Sequence, residues 1–178
     1  MEEFEVPEKP DNQKEKSVGL IIAVIAVVLA IVTALGHQVH NEEILAHVDG
    51  ADQFVSYQAK KSRQVELESK TALIQLGYDH LSPTAQQKAD GILAKDGAEI
   101  QHLSAGEKEA QDKGDEFFAE ATRLAKKAGV LDLGEIALQI SVVLCSITIL
   151  TELFLFVRMG VGTAVIGVLT AAYALFLL

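Results

Sequence analysis

The chain has no tryptophan, one cysteine, three prolines and few aromatic side chains, 6% in all. Without tryptophan and with so few rings, a compact soluble core would lack its bulkiest filling. The single cysteine, Cys145, excludes an intrachain disulfide framework and a thiolate metal site, and it sits inside an apolar run. Basic residues are also scarce. Fifteen Lys and Arg against twenty-five Asp and Glu leave a net charge of −10, which argues against a nucleic-acid partner because phosphate binding needs a basic face.

What the chain does have is apolar residues in blocks. They make up 49% of 178 residues, gathered at the two ends with the charged residues between them. Residues 1–16 hold six acids, three lysines, Pro7 and Pro10. Such a segment buries too little surface to offset its ordering entropy, and is expected to be a disordered acidic tail. Val18 to Leu35 carries no charge over eighteen positions, about the minimum for a helix to cross a bilayer, so residues 17–36 read as a first transmembrane helix. A secretory leader is the competing reading, with Lys14 and Lys16 as its basic flank and Val32-Thr33-Ala34 as its cleavage site. The long acidic stretch ahead and the length of the run favour an uncleaved anchor.

Residues 37–135 turn helical in pattern. Ile44, Val48, Ala51, Val55, Gln58, Ser62, Val65, Ser69, Ala72 and Leu76 alternate steps of four and three, the spacing of a heptad seam. Gly77, Asp79 and Ser82 then mark a turn near 77–83, with Ser82 suited to an N-cap and Pro83 to the first helical position. A second seam follows through Ala89, Leu93, Asp96, Ile100, Leu103, Glu107, Ala110, Gly114, Phe117, Ala121, Leu124 and Ala128. Two such helices joined by a short turn predict a long antiparallel, coiled-coil-like hairpin. Both seams are lean in large apolar groups, and each small residue buries little area at roughly 25 cal/mol per Å². Further helices from other copies of the chain would supply the missing burial, so a homo-oligomer is expected.

Residues 136–178 are apolar for too long a stretch to be one span and suit two. A turn is expected near 152–160, where Glu152, Arg158, Gly160 and Gly162 interrupt the run. Glu152 and Arg158 read either as interfacial residues flanking that turn or as an intramembrane ion pair. Gly160, Gly162 and Gly167 suit close helix packing. The predicted fold is therefore an all-α integral membrane protein with three transmembrane helices and a helical hairpin between the first and second.

Orientation follows from basic residues near span ends. Lys9, Lys14, Lys16 and Arg158 stand on one side, against Arg123, Lys126 and Lys127 on the other. Four against three favours a cytoplasmic N-terminus and an extracytoplasmic hairpin, with the reverse as the alternative.

One run is specific in detail. His40-Asn41-Glu42-Glu43-Ile44 leads into Ala51-Asp52-Gln53-Phe54-Val55-Ser56-Tyr57-Gln58-Ala59-Lys60-Lys61. It resembles the bacterial membrane family catalogued as domain of unknown function 4337, whose members similarly have an acidic tail, one span, a helical middle and two closing spans. Members of that family often carry Trp where Phe54 stands, and several basic residues in the last turn, where this chain has Glu152 and Arg158. The resemblance implies a bacterial inner membrane and no particular activity. Within the run, Asp52, Gln53, Phe54, Tyr57, Gln58 and Lys61 read as an interface to a partner helix, or else Phe54 and Tyr57 pack on the second arm near Phe117 and Phe118.

No phosphate loop, nucleotide fingerprint or hydrolytic triad is present, so no enzyme and no cofactor is predicted. His37, His40, Glu43 and His47 are the one cluster with ligand chemistry. Spacings of three and four put His40, Glu43 and His47 on one helix face, as a metal site or as a polar collar, with Asp132 and Glu135 expected at the same height. Two functions from different classes fit the chain. The first is an oligomeric scaffold or accessory subunit of a larger membrane assembly, with the lipid bilayer and other copies of itself as partners. The second is a pore or transporter lined by Glu152, Arg158, Gln139, Ser141, Thr148 and Thr151.

Overall fold

A computed structural model describes residues 13–151 and 153–177, and among them there are helices and no strand. The helices are α1 (Gln13–Gly77), α2 (Pro83–Thr151) and α3 (Phe154–Leu177), with a 3-10 turn at Tyr78–His80 between the first two. Each of the three is long and apolar enough to cross a membrane. No proline interrupts any of them after its first residue, so nothing breaks the backbone ladder. The first twelve residues of the expected acidic tail lie outside the described residues, as does Glu152. Gln13 onward is already helical.

The turn between α1 and α2 forms where its punctuation stands. Leu81 N–H donates to the Tyr78 carbonyl at 3.1 Å, and the Ser82 carbonyl accepts from Ala85 and Gln86, both at 2.9 Å. Ser82 therefore holds the N-cap position, and Pro83, which has no N–H to satisfy, opens α2. The second break is tighter than the sequence suggested. Helix α3 starts at Phe154, so Arg158 and Gly160 belong to the helix and not to a turn spanning 152–160.

The chain divides into two compact units. Among the described residues, one comprises those up to Asn41 together with those from Arg123 onward, and the other Glu42–Thr122. In the first unit the buried positions recur every seven residues on each helix: Val18, Ile25, Val32 and Val39; Leu131, Leu138 and Cys145; Val157, Ala164 and Ala171. Many are small, and small residues let helix backbones approach closely. A Cβ on Gly160 would stand 2.6 Å from Cys145 Sγ, and the Gly160 carbonyl accepts a 2.7 Å hydrogen bond from the buried Ser141 hydroxyl. Gly162, expected to share this packing, faces open space.

In the second unit the contacts between the two arms form a ladder. Gly50 lies against Phe118, Gln53 against Gly114, Lys60 against Gly106, Lys70 against Asp96, and Tyr78 against Asp90. Numbers on α2 fall as those on α1 rise. The second predicted seam faces inward at every position, from Ala89 to Ala128. The first does not. Ile44, Val48, Ala51, Val55, Gln58, Ser62, Val65, Ser69, Ala72 and Leu76 are all exposed. The inward positions are instead Ala46, Gly50, Gln53, Tyr57, Lys60, Gln64, Leu67, Thr71 and Ile74, with the same four-three steps two residues further along.

Candidate interface of the helical arms

The physical reason for that rotation lies in three local fits. At Gly50 the missing side chain admits the Phe118 ring, which would stand 3.0 Å from any Cβ there. At Lys60 the stem lies along Gly106 and the ammonium donates to the Gly106 carbonyl at 3.0 Å. Around Asp96 and Glu107, only 3% and 7% exposed, the opposite arm supplies cations. Lys70 Nζ is 2.8 Å from Asp96 Oδ2, and Lys61 Nζ is 3.5 Å from Glu107 Oε2. A buried carboxylate is tolerated only when it is paired, and Lys61 and Lys70, half-exposed at the flanks of this face, supply the cations. The inner seam is thus polar for much of its length, which is why apolar periodicity pointed to the wrong face.

Outside the seam, Arg63 bridges the arms. Its guanidinium donates to Glu66 at 2.9 Å and to Glu99 at 3.2 Å, and these two carboxylates push its pKa further up. At the far end, Tyr78 donates to Asp90 at 2.7 Å.

The residues singled out by the sequence fall into distinct settings. Among the described residues no group of three or more His, Cys, Asp or Glu is placed to hold a metal ion. His37 is exposed, and His40 Nε2 lies 3.3 Å from Asp132 Oδ2. Glu43 is half-buried, while the His47 ring tilts against Phe118 with centroids 6.1 Å apart. The helical spacing that put His40, Glu43 and His47 on one side of α1 does not make them converge, because His40 and His47 turn to different partners on α2.

In the signature run, Asp52 and Gln58 are exposed, and Gln53 is half-buried beside Gly114. Phe54 and Tyr57 stack on each other, centroids 5.8 Å apart and 30° between planes. The ring that meets Phe118 is that of His47. Phe54 stays 48% exposed, and Lys61 makes the ion pair to Glu107 already described.

The polar stripe proposed for a pore is hydrogen-bonded within α2 and, at Ser141, to α3. Thr148 and Thr151 donate to the carbonyls of Leu144 and Ile147, Ser141 to Gly160, and Gln139 to Glu135. Arg158 is exposed on the second turn of α3. What sequence reasoning missed is the pair Gly50 and Phe118, together with Lys60 as an inward-facing cation and the half-exposed Lys70 beside Asp96. The available signal was the two acids, Asp96 and Glu107, already inside the second seam, since each needs a cation opposite.

No curated protein and no solved structure matches the chain. The family described as Domain of unknown function (DUF4337) matches it over residues 14–177, nearly the whole length. The chain belongs to that family.

Proposed function

We propose that the protein is a membrane-anchored helical scaffold, an oligomeric structural or accessory subunit of a membrane assembly with no catalytic role. In this reading its three apolar helices cross the bilayer, and Glu42–Thr122 stands outside it as an antiparallel hairpin, which the ladder of arm contacts supports. The observation that carries the reading is the outer surface of the first unit. Leu20, Val24, Val27 and Ile31 on α1, with Val165 and Ile166 on α3, are all exposed. A continuous apolar exterior of this kind is stable in lipid and a liability in water, and helices satisfy their own backbone groups there. The scaffold role rests on the lean, partly polar seam between the arms, which leaves a lone hairpin short of apolar burial.

The proposed setting is a bacterial inner membrane with the N-terminus cytoplasmic and the hairpin extracytoplasmic. Its partners are the bilayer, further copies of the chain, and a larger membrane complex. The test is extraction and mass. The protein should stay with membranes under alkaline carbonate and, in mild detergent, light scattering should give a protein mass of two or more chains. Release by carbonate, or a single-chain mass over a wide concentration range, would refute the proposal.

A further inference from the structure

The inner seam of α1 is polar for much of its length, and its most regular apolar heptad face is turned to the outside. Ile44, Val48, Val55, Val65 and Leu76 lie on that face, with Val55 64% and Leu76 86% exposed. At about 1.5 Å per residue the stripe runs for about 50 Å. It is confined to one unit of the structure and keeps the four-three spacing without a slip. This is the pattern of a coiled-coil contact that lacks its second helix.

We infer that this face is the contact with a second copy of the same chain, the two α1 arms lying parallel and in register. The inference rests on the scaffold reading, in which both copies are anchored in one bilayer with the same orientation.

The flanking positions identify the occupant. With Val48 and Val55 at the first core position of the heptad and Ala51 and Gln58 at the second, His47, Phe54 and Lys61 flank on one side and Asp52, Ala59 and Glu66 on the other. In a parallel pair each residue of the first set meets the residue five places later on the other helix. Lys61, which also lies 3.5 Å from Glu107 in its own chain, then comes beside Glu66 of the partner subunit, and His47, whose ring tilts against Phe118, beside Asp52 of the partner subunit. Phe54 falls beside Ala59 of the partner subunit, where its exposed ring finds the space a methyl group leaves. Every such pair occurs twice by the two-fold symmetry. None places like charges together. β-Branched residues at Val48 and Val55 suit the first core position of two-stranded parallel coils. Gln58, Ser62 and Ser69 are the polar groups among the core positions, and polar core residues help to specify register at a cost in stability.

The test uses the full-length protein in its membrane and in mild detergent, with single cysteines joined by a short bismaleimide. The unmodified chain is the blank, because its one thiol, Cys145, is buried. Val48→Cys, Val55→Cys and Val65→Cys should each give covalent dimers. Asp49→Cys on the same arm and Asp112→Cys on α2 should give at least about fivefold less, since they lie off the stripe. Linkage of each residue to itself along the whole stripe requires the parallel register, whereas an antiparallel pair links only near one crossing point. Dimers at one position only, or equal yields on and off the stripe, would overturn the inference. An oligomeric mass in detergent with no linkage at the three valines would also overturn it, while leaving the scaffold reading intact. A single-chain mass would remove both.

Discussion

Gly134 on α2 and Gly167 on α3 face each other with no room for a side chain between them. A Cβ on Gly134 would lie 2.9 Å from the Gly167 carbonyl oxygen, and one on Gly167 2.8 Å from that of Gly134. Both obstacles are backbone atoms, which cannot swing away as the end of a long side chain can. The helices meet here because neither residue has a side chain.

Gly167→Leu should therefore force α2 and α3 apart. Overpacking of this kind typically costs about 1–3 kcal/mol. Thermal unfolding of the detergent-solubilised protein should show a lowered midpoint. Gly162→Ala, on the same helix but with open space around it, should unfold like the parent. Equal behaviour of the two variants would show that the close approach is not maintained.

The buried Asp96 depends on Lys70. Lys70→Met leaves a carboxylate that is 3% exposed without its cation, and removing one partner of a buried pair costs far more than the pair is worth. A loss of about 1–3 kcal/mol is expected, at the low end for a lysine that is half exposed. The double variant Lys70→Met/Asp96→Leu should recover most of it, because two apolar groups then meet across the seam. Denaturant titration of all three chains in detergent is the measurement. A double variant no better than Lys70→Met would contradict the ion-pair account.

At the tip, the hydrogen bond from Tyr78 to Asp90 raises the tyrosine pKa, with smaller contributions in the same direction from burial and from the charges of Asp90 and Asp79. A folded-state value above the unfolded one means the neutral phenol is favoured by folding. The contribution is fully present below the unfolded pKa of about 10 and is lost as pH rises through the folded value. Hydrogen exchange in residues 74–86 should accelerate over that alkaline window beyond the intrinsic rate. Tyr78→Phe should be looser at neutral pH and lack this extra rise. The same alkaline profile in Tyr78→Phe would assign the effect to another group.

Topology is open to a direct reading at the tip, because Asp79 is exposed. Asp79→Cys should react with a membrane-impermeant maleimide in intact cells if the arms are extracytoplasmic. Labelling only after lysis would reverse the proposed orientation and leave the three-span reading unchanged.

Much of this architecture was legible because it depends on local chemistry. Charge-free runs mark the apolar helices, since any charge in them would be costly in a bilayer. Gly77, Ser82 and Pro83 mark the first turn through backbone preferences that act without tertiary context. The second arm was read correctly through Ala110, Gly114, Ala121 and Ala128, whose small side chains all face inward. At the last break, Gly160 was read both as marking the turn and as a site of close helix packing, and only the packing is found. Its role in packing depends on Ser141 and Cys145, which lie on another helix.

The sequence by itself determined the three apolar helices, the turn after Gly77 and membership of the family. Which face of α1 turns inward was decided by tertiary structure alone. Hydrophobic periodicity ranks the faces of a helix by transfer free energy, and on that scale the Ile44, Val48 and Val55 face should win. The arms instead pack where Gly50 admits Phe118, where Lys60 reaches the Gly106 carbonyl and where Lys70 reaches Asp96. Those fits belong to pairs of residues far apart in the chain, and a helical period read along one arm contains no information about the other.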